Sequence, residues 1–224
     1  MTKVYLSGSE SINNEIKEFL SGKAEFTQNP EEAGIIFNTT NYPEYEKSEE
    51  LQYIESVTPD TIPIFTSSLC VSVSEQCRLQ AHPARLIGIG LYDTFSKAKR
   101  IEIAPSKITD AAILKNAENF LSEAGVNYSV VPDRVGLIFP RIVSMIINEA
   151  AQVYSEQIAS KEDIDTAMKL GTNYPFGPLE WADRLGVELV YNILAALQRD
   201  FGEDRYRPHP LLKEMANLNK RFYD

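Results

Sequence analysis

Short β-branched or aromatic runs alternate with helical stretches over the first 131 residues, and beyond Pro132 only helical patterns remain. That break limits what the chain can fold into more than any other feature. The runs Lys3–Ser7 (KVYLS), Gly34–Thr39 (GIIFNT), Thr61–Thr66 (TIPIFT), Leu86–Leu91 (LIGIGL), Arg100–Ala104 (RIEIA) and Tyr128–Val131 (YSVV) read as strands. Ser11–Ser21, Glu46–Ser56 and Thr109–Ala124 carry helical spacing, the last opened by Thr109-Asp110 and stopped by Gly125. Such alternation predicts a mostly parallel sheet covered on both faces, with strand order left open.

The second part predicts a bundle of short-linked helices. An apolar stripe through Val135, Ile138, Ile142, Met145, Ile146, Ala150 and Val153 predicts one long helix over Val135–Ile158. Ser160-Lys161-Glu162-Asp163 is a cap pattern opening a helix that runs through Leu170 and stops at Gly171. Gly177-Pro178 restarts one, and Val187–Phe201 and His209–Leu218 follow. The expected fold class is therefore α/β plus all-α, with domains at 1–131 and 132–224.

Composition removes several function classes. The chain has 224 residues and a formal net charge of -10, so nucleic acid and anionic membranes are poor partners. Pro140 and Arg141 break the longest apolar stretch, leaving no expected transmembrane span, and MTKVYLSGSES carries no signal-peptide pattern. Cys70 and Cys77 lack the second Cys/His pair of a metal site, so no metal is expected and a cytoplasmic location is.

The stretch NEAAQVYSEQIASKEDIDTAMKLGTNYPFGPLEWADRLG, from Asn148 to Gly186, leads on to FGEDRYRPHPLL and a terminal RFYD. It resembles the C-terminal helical domain of the 3-hydroxyacyl-CoA dehydrogenases, the 3-hydroxybutyryl-CoA dehydrogenases in particular. The resemblance continues upstream through Thr66–Leu69 (TSSL), Arg85–Ala104 and Val135–Ile142. It implies a truncated Rossmann-like sheet domain followed by a helical-bundle dimerisation domain, and in the family an NAD-dependent oxidation of the acyl-CoA 3-hydroxyl. A homodimer through residues 132–224 is what the resemblance implies for partners, with an acyl-CoA-like ligand conceivable.

The parts that carry chemistry in the family depart one by one. Its G-x-G-x-x-G loop is met here by Gly8, Glu10 and Asn13. The second glycine admits the pyrophosphate and the third lets helix and strand pack closely, so Glu10 adds bulk and like charge where an anion should rest. The family base is the His of G-M-H-F-F-N-P-V, and Gly90 stands in its place. Glycine has no group to take the hydroxyl proton. Glu102 matches the glutamate that orients that His, Pro140 replaces the substrate-binding Asn of G-F-x-x-N-R, and Ser67 keeps the hydroxyl of N-T-S-S. Pro140 is expected to kink its helix near the start.

No other residue offers an obvious base. His82 reads as a loop residue, and His209 as one without a catalytic task. Asp93, beside Tyr92, is the one substitute worth weighing, although an Asp at a strand end usually caps or turns the chain. Phe176 and Trp181 read as core. Between the first helix and the Gly34 strand only Lys23–Thr27 can remain of the family's ribose-binding strand, Glu31 reads as a turn residue, and no room is left for the hairpin that grips coenzyme A. The expectation is a cytoplasmic, dimeric pseudoenzyme with impaired NAD binding and no bound cofactor. The alternatives are an active oxidoreductase with a shifted base such as Asp93, or an assembly module for an active paralogue.

Overall fold

Seven strands line up as one sheet in the order β2-β1-β3-β4-β5-β6-β7 among the described residues, which are 1–98 and 100–223 of the computed structural model. Lys99 of the K-R-I-E-I segment and Asp224 of the terminal R-F-Y-D lie outside them. The strands are β1 (Lys3–Ser7), β2 (Glu25–Thr27), β3 (Ile35–Asn38), β4 (Ile64–Ser67), β5 (Leu86–Ile89), β6 (Ile101–Pro105) and β7 (Tyr128–Val130). Neighbours from β2 to β5 pair in parallel, β6 runs antiparallel to β5, and β7 is parallel to β6.

Every residue of β3, β4 and β5 is buried, which is why these runs are apolar on both faces. Pairing puts Ile36, Ile64 and Leu86 in one row, packed on Leu51 and Ile54 of α2 (Glu44–Val57). The next row turns to the other face, where Phe37 stacks on Phe65 at 5.0 Å and meets Phe120 of α4 (Ala111–Glu123). Fully burying one such side chain contributes about 1.5–3 kcal/mol. Helix α1 (Glu10–Phe19) follows β1, and a short α3 (Val73–Gln76), which the sequence pattern does not reveal, follows β4. The link from β2 to β3 holds a single turn at Pro30–Glu32 capped by Asn29, so Glu31 does lie in a turn.

The helical unit contains α5 (Phe139–Ser155), α6 (Lys161–Thr172), α7 (Pro178–Leu185), α8 (Val187–Phe201) and α9 (Pro210–Asn217). Four expectations need correction. The long helix does not begin at Val135, because Gly136 (φ 75°) and Leu137 (φ 51°) are both left-handed and cannot continue a helix. Pro140 consequently sits in the first turn of α5, where its missing N–H is not needed, and it opens the helix instead of kinking it. Gly171 lies inside α6; the stop is Asn173, whose φ of 56° makes the left-handed cap. Phe176 and Trp181 are half-buried, not core: they meet edge-on at 5.1 Å, with Arg184 over the Phe176 ring.

The chain divides into compact units at Met1–Leu137 and Ile138–Asp224, six residues beyond the expected 131/132 boundary. Residues 132–137 are held to the sheet unit by hydrogen bonds. Asp133 accepts from the N–H groups of Val73 and Ser74, both at 2.8 Å, and Gly136 donates to the Leu69 carbonyl. No described helix is long and apolar enough to cross a membrane.

Candidate functional site

In an open α/β sheet, ligands bind beyond the C-terminal ends of the strands where the order reverses. Here β1 lies between β2 and β3, so the reversal falls at Ser7 and Asn38. Gly8 follows at once with φ 91°, and a Cβ there would lie 2.5 Å from the Thr40 nitrogen. Glycine at this position is required by the chain's own turn against Thr40. Glu10 is the first residue of α1, and Ser9 caps it by accepting from the Ile12 N–H. Asn13 fills the place that a third glycine would leave open, taking the Thr39 hydroxyl at 2.8 Å and reaching the Gly8 carbonyl at 3.5 Å. Gly8, Glu10 and Asn13 thus come together in one turn.

A buried polar network surrounds that turn. Lys47 is only 1% exposed, and its Nζ donates to Asn38 Oδ1 and the Thr40 carbonyl, each at 2.8 Å. Asn38 Nδ2 donates to Ser7 Oγ at 3.0 Å and to Glu50, which also accepts from the Thr40 hydroxyl at 2.7 Å. Burial pushes the Lys47 ammonium down to about 7, against the opposing charge of Glu50. Sequence reasoning missed Lys47, Asn38 and Glu50 as members of this network. A Lys and a Glu three positions apart on a helix read as solvated surface, and only the polar N-T-T-N run straight after the apolar strand β3 hinted otherwise. Ser67, at the end of β4, is buried and donates its hydroxyl to Asn41 Oδ1. Its carbonyl and Thr66 are held by Gln76.

The base position lies just beyond β5. Gly90 donates its N–H to the Glu102 carbonyl at 3.0 Å, so the two family positions are adjacent. A Cβ on residue 90 would stand 2.9 Å from Leu137 Cδ1, so a side chain there would require that methyl group to shift. Leu137 is itself buried in the left-handed region. Burial, with the charges of Glu102 and Glu15, pushes the Tyr92 phenol up to about 12. Asp93, weighed in the sequence as a substitute base, accepts from the Ser11 hydroxyl at 2.5 Å on the first turn of α1. Beside it Glu15 accepts from the N–H groups of Thr94 and Ser96 at 2.8 and 2.9 Å, and Phe95 meets Phe19 edge-on at 5.5 Å. Residues 93–96 are therefore a strap fastened to α1.

In the helical unit the recognisable motif residues have structural partners. Asp165, 1% exposed, accepts from the N–H groups of Leu179 and Glu180 and from the Tyr223 hydroxyl at 2.9 Å. A Cβ on Gly177 would run into Asp165. Asp183 accepts from the N–H groups of Phe222 and Tyr223 at 2.8 and 2.7 Å. His209 caps α9, its Nδ1 accepting from Leu211, while His82 is exposed. The described residues hold no cluster of three metal-ligating side chains.

Residues 136–221 match the model of the 3-hydroxyacyl-CoA dehydrogenase C-terminal domain. Sequence relatives extend the match into the sheet. The chain belongs to the 3-hydroxyacyl-CoA dehydrogenase family. It is 33% identical over 165 residues to the 3-hydroxybutyryl-CoA dehydrogenase of Clostridioides difficile, covering 72% of this chain and 57% of that one. It is 39% identical over 124 residues to the 3-hydroxyadipyl-CoA dehydrogenase of Escherichia coli strain K12, covering 55% of this chain and 26% of the relative. The matches thus span less than two thirds of either relative. Among solved structures, M. tuberculosis FadB2 superposes with a TM-score of 0.81 at 18% identity, covering 98% of this chain and 89% of the other. The (S)-3-hydroxybutyryl-CoA dehydrogenase PaaH1 of Ralstonia eutropha gives 0.78 at 19% identity, with 98% and 94% covered. Those two likenesses establish the dehydrogenase fold, a Rossmann-like sheet domain with a helical domain.

Proposed function

We propose that this member of the 3-hydroxyacyl-CoA dehydrogenase family is a pseudoenzyme that does not bind NAD tightly, and that it is a cytoplasmic homodimer paired through residues 132–224. The observation that carries the reading is Gly90 itself, which puts no proton-accepting side chain at the position matched to the family base, with Leu137 Cδ1 2.9 Å from where a Cβ would stand. The cofactor's fit is poor on the same grounds. NAD would supply a hydride acceptor, and its pyrophosphate would need an open, uncharged helix start. This chain instead puts the Glu10 carboxylate on the first turn of α1, packs Thr40 on Gly8, and fills the third glycine position with Asn13. Like charges about 4 Å apart repel by ~4 kcal/mol at a surface-like dielectric.

Dimerisation is supported by the apolar stripe of α5, where Ile142 is 54% exposed beside the half-buried Met145 and Ile146. The active alternative draws its support from the 33% identity to a named 3-hydroxybutyryl-CoA dehydrogenase. Asp93 would serve as its base, and Asp93 is engaged by Ser11. The test mixes protein, NAD and 3-hydroxybutyryl-CoA and follows NADH absorbance. No steady turnover is expected, and turnover comparable to an ordinary family member would overturn the reading. Light scattering is expected to give about 50 kDa, the symmetric-pair default, and a clean monomer would remove the dimer.

A further inference from the structure

We infer that the outer face of α2 is a docking surface for an extended basic polypeptide segment, with arginine side chains over the rings of Tyr45 and Tyr53 and a third facing Glu49 between them. Helix α2 is two-sided. Lys47, Leu51, Ile54 and Glu55 are buried, whereas Tyr45, Glu49, Gln52, Tyr53 and Ser56 are exposed at the i, i+4, i+7, i+8, i+11 spacing of one stripe. The core makes no demand on that stripe, and a helix face turned to water is ordinarily charged or polar. Tyr45 and Tyr53 are instead 64% and 56% exposed, and Tyr42, just before the helix, is 56% exposed. Leu79, also exposed, stands at the edge of the stripe, its carbonyl accepting from the Gln52 amide at 3.3 Å. Large aromatic and apolar groups gathered on one water-facing surface mark an interaction site.

Charge chooses the partner. Residues 41–60 hold six carboxylates and one base, Lys47, which is buried. Glu50 and Glu55 bond inward, Glu50 with Asn38 and Thr40, and Glu55 with the N–H groups of Ala81 and His82. Glu44, Glu46 and Glu49 are exposed, and the ion pairs found among the described residues involve other acids. Carboxylates beside exposed phenol rings suit a guanidinium, which stacks on an aromatic face and pairs with a carboxylate. A second copy of this acidic chain, a nucleic acid or an anionic membrane would be repelled here. Geometry sets the form of the segment. Tyr45 and Tyr53 lie two helical turns apart, about 12 Å along the axis. An extended chain covers that distance in about four residues, and its residues i, i+2 and i+4 point to one side. Arginines at those places meet Tyr45, Glu49 and Tyr53 in turn.

The experiment titrates the full chain into a fluorescently labelled five-residue peptide in which arginine alternates with serine, beginning and ending with arginine, and reads anisotropy. A control peptide of the same composition carries its arginines consecutively. The alternating peptide is expected to bind more tightly, by about twofold or more. Tyr45→Ala/Tyr53→Ala leaves the net charge unchanged and should weaken that binding about fivefold or more. Glu49→Gln should weaken it roughly twofold, an effect that added salt removes. All three side chains are exposed, so the variants should keep the wild-type thermal midpoint. Equal affinity for the two peptides, or undiminished affinity in the double tyrosine variant, would mean general attraction of a polycation to an acidic protein and overturns the inference. A fall in light-scattering mass in that variant overturns it too, by making the stripe a contact between copies. Neither readout involves NADH, so the outcome is independent of the pseudoenzyme reading.

Discussion

In the helical unit Asp165 gathers two backbone N–H groups and a tyrosine hydroxyl, and Asp183 holds the last described residues of the chain. In the sheet unit the positions matched to the family's site have close neighbours of their own: Leu137 near Gly90, Thr40 against Gly8, and Asn13 accepting from the Thr39 hydroxyl. The contrast separates two reasons for a family pattern to be legible. Motif residues of the helices hold loops and helix starts together whether or not any reaction occurs. Residues of the crevice need their identity only for a substrate, so the proposed loss of function would leave them free to vary.

The largest expected effect probes the first half of that contrast. Asp165→Ala strands three donors at a buried site and should cost roughly 3–5 kcal/mol. Trp181 is the single tryptophan and lies in α7, so its fluorescence in a urea titration reports the helical unit alone. An unmoved midpoint would remove the structural account of the motif.

The next concerns Lys47, whose folded value of about 7 lies below its unfolded value of 10.5. Between those values the unfolded chain holds a proton that the folded chain lacks, so stability rises with pH, and below about 7 the effect is flat. Relative to Lys47→Met, the wild type should gain up to about 1.4 kcal/mol per pH unit above pH 7. Denaturant titrations at pH 7, 8 and 9 measure the difference. A difference that does not change with pH means that the amine is not desolvated in the folded protein.

The smallest effect is expected at the crevice. Gly90→His overpacks against Leu137 and should cost about 1–3 kcal/mol, relieved in part by a second change, Leu137→Ala. Neither variant should produce NADH, since Glu10 and the filled turn remain. Steady NADH formation by Gly90→His alone would mean that the two units differ by one residue and not in kind.

Much of the fold was legible because local chemistry dictates it. The strands β3, β4 and β5 are apolar on both faces, Asp110 caps α4, and Ser160 caps α6, each visible as a pattern of residues. The start of α5 was not legible, since the apolar spacing runs unbroken through Val135 and Ile138 while the backbone turns left-handed at Gly136 and Leu137. The candidate site divides the same way. The absence of a histidine at position 90 is plain in the chain, yet Leu137 stands 47 positions away and nothing local announces that they meet. Lys47 is the extreme case, a charged helical residue whose burial depends on Asn38 and Thr40 of a preceding strand and loop.

Thr94 has one more consequence. A β-branched residue at φ 75° is held against its own preference, at a cost of order 1–3 kcal/mol, and the Glu15 carboxylate is among the groups that hold it. Glu15, on α1, therefore fixes the backbone at Thr94 and Ser96. Replacing Glu15 by alanine would remove the bonds to Thr94 and Ser96 while the unfavourable φ of Thr94 remained.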